Sequence, residues 1–123
     1  MANPNIVNVT SILGKSLSVA VLTTATQLAS NTAASGKVFK INSIVVANID
    51  GTNAADVTVN IYSEDALGGT PLAIVSTISV PADASLIVTD KTTSFYLLED
   101  QSIGALASAA GDLVATISFE EIN

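Results

Sequence analysis

The chain has 123 residues and a net charge of −7, and 49% of its residues are apolar while only 12% are charged. This length is enough for one domain with a real core, and the high apolar content excludes a disordered chain. The sequence contains no Cys, His, Trp or Arg, which excludes disulfides, cysteine nucleophiles, histidine bases and Cys/His metal sites.

The charge pattern also limits the partners. The four cations, Lys15, Lys37, Lys40 and Lys91, are scattered in an acidic chain and cannot form the basic stripe that nucleic acids or anionic membranes require. No stretch of 18 apolar residues could span a bilayer. The opening Met-Ala-Asn-Pro-Asn lacks the basic and apolar regions of a secretory signal. We therefore expect synthesis in a cytoplasm, with no nucleic-acid or membrane partner.

The first thirteen residues differ from the rest, because asparagines alternate with apolar residues before Gly14. They are either the first strand at a sheet edge or an arm that adds a strand to a neighbouring subunit's sheet. Asn5, Ile6, Val7 and Val9 are the candidate contact residues of this segment. We predict an amino-terminal arm or edge strand over residues 1–13 and one β-sandwich domain over residues 14–123.

The rest of the chain reads as strands, because apolar residues recur with a period of two and Val, Ile and Thr together number 38. A strand is predicted over Ser16–Thr24, and Gln27–Gly36 is predicted to be a loop or an irregular edge. The next predicted strands are Lys37–Asp50 and Asp56–Ser63. Their predicted inward residues are Phe39, Ile41, Val45, Ala47 and Ile49 in the first, and Val57, Val59 and Ile61 in the second.

Four further strands and a final one follow, separated by turn formers. They are predicted over Leu72–Val80, Ser85–Thr89 (with Leu86 and Val88 inward), Phe95–Leu98, Ile103–Ala109 and a last strand with Leu113, Ala115, Ile117 and Phe119 inward. About eight strands with turn signals roughly every 8–12 residues predict an all-β, single-domain antiparallel β-sandwich. Periodicity leaves a jelly roll and an immunoglobulin-like Greek key both open.

Carboxylates are the remaining candidates for chemistry. Asp50, Asn53 and Asp56 could supply oxygen ligands to Ca²⁺, but the same residue types build an ordinary hairpin turn, which we predict instead. The pairs Glu64-Asp65, Glu99-Asp100 and Glu120-Glu121 lie in or near turns, whereas a glycosidase needs two carboxyls facing each other across a cleft. We therefore predict no catalytic residue, no metal and no cofactor. Glu120-Glu121 could instead form a surface patch for a basic partner.

Several segments together resemble a known class of protein. They are MANPNIVNVTSILGKS at the start, KVFKINSIVVANIDGTNAADVTVNIY (Lys37–Tyr62), ISVPADASL (Ile78–Leu86), FYLLEDQSI (Phe95–Ile103) and ALASAAGDLVATISFEEI (Ala105–Ile122). The chain resembles, over nearly its whole length, small virion structural proteins of tailed bacteriophages, especially phages of marine cyanobacteria.

The resemblance implies a jelly-roll-like sandwich without a catalytic site, present in many copies on the outside of a virion. The expected role is that of a capsid decoration (cement) protein, which binds the major capsid protein lattice and stabilises the shell. Such proteins often form homotrimers, so the resemblance favours a trimer, with Asn5, Ile6, Val7 and Val9 as candidate capsid or subunit contacts. The alternative is a tail, neck or fibre component, such as a receptor-recognising adhesin with a glycan-binding loop at Gly51–Asp56 or Glu64–Gly69.

Overall fold

A computed structural model describes residues 4–123, in which nine strands form two antiparallel sheets. The strands are β1 (Ile12–Ala20), β2 (Thr26–Asn31), β3 (Val38–Asn48), β4 (Ala55–Tyr62), β5 (Pro71–Val80), β6 (Ser85–Thr89), β7 (Phe95–Leu97), β8 (Gln101–Ala107) and β9 (Leu113–Ile122). One 3₁₀ turn, Lys91–Thr93, precedes β7. The predicted all-β, single-domain antiparallel sandwich is confirmed.

The strand order identifies the type of sandwich. The first sheet runs β1-β9-β3-β6, with β7 also paired to β3, and the second sheet runs β2-β8-β4-β5. The pairings β1–β9, β2–β8, β3–β6 and β4–β5 are nested, as in one long hairpin rolled onto itself. This is a jelly roll, so the immunoglobulin-like alternative is set aside.

The one strand beyond the predicted eight is β2, which overlaps the segment Gln27–Gly36 that was predicted to be a loop or an irregular edge, and the structure has an irregular edge strand there. Thr26–Asn31 pairs with β8, and the register shifts between Gln27 and Ala29, so that Leu28 and Ala29 are both buried. A short polar segment with a single large apolar residue carries no clear alternation. Its pairing with β8, rather than its own pattern, makes it a strand.

A β-bulge in β3 reverses which residues face the core. The register with β9 shifts between Ile41 and Ser43, so the inward residues change from Phe39 and Ile41 to Ile44 and Val46. The prediction that Val45, Ala47 and Ile49 face inward was therefore wrong: Val45 and Ala47 are half-buried, and Ile49 is 62% exposed. One inserted residue moves every later side chain to the other face.

The core between the sheets follows the predicted alternation where no bulge intervenes. Leu113, Ala115, Ile117 and Phe119 of β9 are all buried, as are Val57 and Val59 of β4. Ile61, Leu86 and Val88 pack against this core from partly buried positions. The rings of Phe39 and Phe119 stack with their centroids 5.2 Å apart and close the core near the chain ends.

The first strand begins four residues earlier than predicted. β1 pairs with β9 without a bulge from Ile12 opposite Ile122 to Ala20 opposite Val114. Ser11 continues this ladder, because its N–H donates to the Asn123 carbonyl and its own carbonyl accepts from Asn123 N–H, both at 3.0 Å. The strand therefore crosses the boundary between residues 1–13 and 14–123. Met1, Ala2 and Asn3 lie outside the described residues.

Candidate functional site

The four candidate contact residues at the amino terminus lie together on the surface. Asn5, Ile6 and Val7 are exposed, with Ile6 at 49% and Val7 at 90%, and Val9 is half-buried. The segment is a turn in which the Asn5 side chain accepts a 2.9 Å hydrogen bond from Val7 N–H, and the Asn5 carbonyl accepts one from Asn8 N–H. Two apolar side chains are thus presented to solvent by a polar turn.

A groove opens between β1 and β2, the edge strands of the two sheets. The β1–β2 groove has a volume of about 550 Å³. Its apolar lining comes chiefly from Leu17, Leu28, Phe39 and Phe119. Leu13 and Leu17 share the inward face of β1, since they pair with Glu121 and Ile117, yet they are 53% and 47% exposed. The inner face of β1 is therefore uncovered at Leu13 and Leu17, whereas Val19 farther along the strand packs against the core.

One carboxylate holds the end of this groove together. Glu121 of β9 accepts hydrogen bonds from Lys15 Nζ at 2.7 Å and from Lys37 Nζ at 3.2 Å. Partial burial raises the pKa of Glu121, but the hydrogen bonds and charges of the two lysines outweigh burial and hold that pKa below its ordinary value. This side chain joins β1, β9 and the entry to β3, so it serves the structure of the sandwich.

The opposite end of the sandwich is acidic. Loops after β3, β5 and β8 converge there, because Asp83 N–H donates to the Asp50 carbonyl and Ile49 N–H donates to the Asp112 carbonyl. Asp56 N–H donates to Ser108 Oγ at the same end. We call Asp50, Asp56, Asp83 and Asp112 the acidic end. The four lysines lie toward the other end, in β1, at the start of β3 and after β6.

In the loop considered as a calcium site, the carboxylate oxygens of Asp50 are used to hold the turn. The Asp50 carboxylate accepts hydrogen bonds from Thr52 N–H at 2.7 Å and Asn53 N–H at 3.2 Å. The hydrogen bond from Thr52 N–H, and to a smaller extent the one from Asn53 N–H, lowers the pKa of Asp50. Asp50 thus caps its own turn, and among residues 4–123 no group of three acidic residues is placed to hold a metal ion.

The other proposed recognition loop, Glu64–Gly69, folds back over the second sheet. Its backbone N–H groups at Asp65, Ala66 and Leu67 donate to the side chains of Asp100, Ser30 and Ser102 respectively. Leu67 and Tyr62 cover Gly104 so closely that a Cβ there would lie 2.8 Å from Leu67 Cδ2. The loop is therefore fastened to β2 and β8 and covers them.

A second, smaller cavity of about 260 Å³ lies on the side opposite the β1–β2 groove. It is lined by Ile61, Ile74, Val88, Thr89, Thr93 and Phe95. No ionisable side chain lines it, so it offers apolar packing rather than chemistry. Within the part of the chain that the structure describes, no helix is long and apolar enough to cross a membrane.

The β1–β2 groove is the feature that the sequence interpretation missed. Its recognition depended on the pairing of β2 with β8, whereas the sequence predicted only a loop or an irregular edge over Gln27–Gly36. One signal was present: residues 1–36 contain a single charged side chain, Lys15, whereas all eleven acidic residues lie between Asp50 and Glu121. Since acidic copies repel each other through their acidic surfaces, a segment without acidic residues marks the surface on which two copies can approach each other most closely.

Comparison with known proteins adds evidence on the fold. No protein-family model matches the sequence, and no curated protein is significantly similar to it. Among solved structures, a chain from the work titled "Bacillus endospore appendages form a novel family of disulfide-linked pili" is similar, with a TM-score of 0.53 and 20% identity over 92% of this chain and 88% of that one. The likeness is one of fold, and this cysteine-free chain cannot form disulfide links.

Proposed function

We propose that this protein is a non-enzymatic structural protein of a virion, a capsid decoration protein that binds the outside of the major capsid protein lattice. The observation that carries the proposal is the separation of two surfaces on one jelly roll. The acidic end lies at one pole, and the β1 edge, whose single charged side chain is Lys15, lies along the side. Such a molecule is built to contact other proteins through its surface.

The acidic end supports attachment to a basic partner. Four aspartates without a neighbouring lysine give this end a negative potential that a basic patch on the capsid would attract. Of the remaining acids, Glu121 is already paired with Lys15 and Lys37, and Glu120 lies opposite Lys40 in the β3–β9 ladder. We therefore propose that the acidic end faces the shell. A chain of similar fold comes from work on pili, which agrees with a structural role, but a fold alone does not fix a function, so the proposal rests on the surfaces described above.

The decisive measurement is the number of copies of this chain per purified virion, by quantitative mass spectrometry against the major capsid protein. Hundreds of copies in a fixed ratio to the shell subunit would support decoration. A dozen or fewer would contradict it and favour a neck, tail or fibre component. With decoration supported, shells stripped of this chain are expected to break at lower temperature than complete ones.

Two double variants test whether the acidic end is the surface that attaches to the shell. Asp83→Asn with Asp112→Asn removes two charges from the acidic end, and we expect weaker rebinding to stripped shells and a smaller dependence of binding on salt. The control, Glu64→Gln with Glu120→Gln, removes two charges elsewhere and is expected to bind as the unmodified chain does. Equal losses in both pairs would contradict attachment by the acidic end.

A further inference from the structure

We propose that the amino-terminal segment of one copy, residues Asn5–Val9, inserts into the β1–β2 groove of a second copy as an added strand beside β1. This inference concerns how copies contact each other and stands independently of the proposed virion role. Two features that the isolated chain leaves uncovered, an apolar segment and an apolar groove, complete each other in such a pair.

The edge of β1 is the accepting edge, because the other sheet edges are irregular or short. β5 has register shifts with β4 and carries Thr77 at φ 53°, a conformation that β-branched residues rarely adopt. β6 has five residues, and β2 is bulged. β1 has nine residues in unbroken register with β9, and no described strand pairs with its other side. Long, regular edges of this kind are templates for another strand.

The inserted segment matches the groove in length and polarity. Five extended residues span about 17 Å, as do five residues of β1. In an extended conformation Val7 and Val9 would point to one face, toward Leu17 and Leu28, while Ile6 and Asn8 would point to the other. The turn bonds made by Asn5 would be exchanged for bonds to the edge of β1.

Charge favours a second copy as the occupant. Each chain carries a net charge of −7, so copies repel each other over most of their surface. Residues Asn5–Val9, β1 and β2 together contain one charged side chain, Lys15, which forms an ion pair with Glu121. Two copies can therefore meet here without bringing unpaired like charges together.

A chain cannot fill its own groove with this segment. Thr10 and Ser11 are the only residues between Val9 and Ile12, and both donate their N–H groups to the Asn123 carbonyl. They continue the ladder with β9, so they cannot also form the tight turn that would fold the segment back along β1. The contact is therefore between copies, and it produces a reciprocal pair, a closed ring or an open chain of subunits.

Disulfide trapping tests this contact, since the chain has no cysteine of its own. Two differently tagged chains, Val7→Cys and Leu17→Cys, are mixed under mild oxidation. We expect a covalent heterodimer at a yield at least tenfold above that of a control mixture of Val7→Cys with Ile87→Cys. Ile87 is 62% exposed on β6, at the far edge of the same sheet. Equal yields in the two mixtures, or no heterodimer, would overturn the proposal.

Sedimentation of a second variant separates assembly from folding. Val7→Asp is expected to raise the dissociation constant of the assembly at least tenfold with an unchanged melting temperature, because Val7 is 90% exposed within the chain. Ile87→Asp adds the same charge at another exposed apolar position and is expected to assemble normally. Normal assembly of Val7→Asp would overturn the proposal, as would an unmodified chain that stays monomeric at every concentration. Copy number on virions tests only the proposed function.

Discussion

Lys15 of the first strand and Glu121 of the last lie 2.7 Å apart, and Lys37 approaches the same carboxylate at 3.2 Å. The Glu121 side chain is 12% exposed, whereas the lysines are 46% and 39% exposed. The three groups fasten the edge strand β1 and the start of β3 to β9. Their charges therefore contribute to stability in a pH-dependent way.

Acidification is expected to weaken the fold through Glu121. A carboxyl whose pKa is lowered on folding stabilises the folded state above its unfolded pKa, and that contribution is lost as pH falls through the folded pKa. The free energy of unfolding should therefore decline below about pH 4.5, the ordinary value for this group. Glu121→Gln is expected to cost about 1 kcal/mol at neutral pH, given the exposed lysines, and to flatten the decline.

Urea unfolding between pH 7 and pH 3 measures this effect. Asp50 and Asp90, whose pKa values are also lowered by hydrogen bonds, add to the loss of stability in acid. Their contribution should persist in Glu121→Gln. Glu120→Gln is the matched control, since Glu120 accepts a hydrogen bond from Asn42 and, within residues 4–123, forms no ion pair with a lysine. A pH profile of Glu121→Gln identical to that of the unmodified chain would contradict the role assigned to Glu121.

Gly104→Ala is expected to destabilise the protein by about 1–3 kcal/mol. The added Cβ would lie 2.8 Å from Leu67 Cδ2, 3.1 Å from Tyr62 Cε1 and 3.2 Å from the Thr26 carbonyl, so the loop over the second sheet would have to move. Gly14→Ala is the control, because nothing lies within 4 Å of its added Cβ. Combining Gly104→Ala with Leu67→Ala should recover part of the lost free energy of unfolding, because the side chain that the new Cβ meets is shortened. Equal urea midpoints for Gly104→Ala and Gly14→Ala would refute the close packing at Gly104.

Asn48→Ala is expected to cost about 2–3 kcal/mol, because it leaves buried backbone groups without their partner. Asn48 is 3% exposed, and its amide donates at 2.9 Å to the carbonyls of Asn53 and Val80, which links β3 to the end of β5 in the other sheet. Asn42→Ala removes an outer-face contact to Glu120 and should cost less than about 0.5 kcal/mol. Thermal and urea unfolding measure the stability of both variants. Similar losses in free energy of unfolding for Asn48→Ala and Asn42→Ala would contradict the role of Asn48 as a buried link between the sheets.

Added Ca²⁺ is expected to leave the melting temperature unchanged. The Asp50 carboxylate already accepts the N–H groups of Thr52 and Asn53, so an ion would have to replace bonds that form the turn. Calorimetry with millimolar Ca²⁺ and with a chelator measures this. A rise of several degrees with Ca²⁺, abolished by Asp50→Asn, would establish a metal site after all.

Local patterns predicted the fold where each strand alternates without interruption, as in β9 from Leu113 to Phe119. They failed at β3, because the bulge between Ile41 and Ser43 leaves no trace in composition and reverses the faces of the later residues. For β2 they left a loop and an irregular edge both open. Asn31 is fully buried there, because its amide donates to the carbonyls of Lys37 and Leu97. A buried polar residue with such partners cannot be told from a loop residue by sequence, so the pairing of β2 that forms one side of the β1–β2 groove was not predicted.

The nested pairing of the strands has a consequence for synthesis. Ser11 and Asn123, 112 positions apart in the chain, become hydrogen-bonded neighbours. Because β9 lies between β1 and β3, a growing polypeptide on the ribosome has no partner for β1 until the final strand has left the exit tunnel. Pairings this distant in sequence form slowly. For that interval both edges of β1 are unpaired, so premature association of unfinished chains is the hazard that this topology carries.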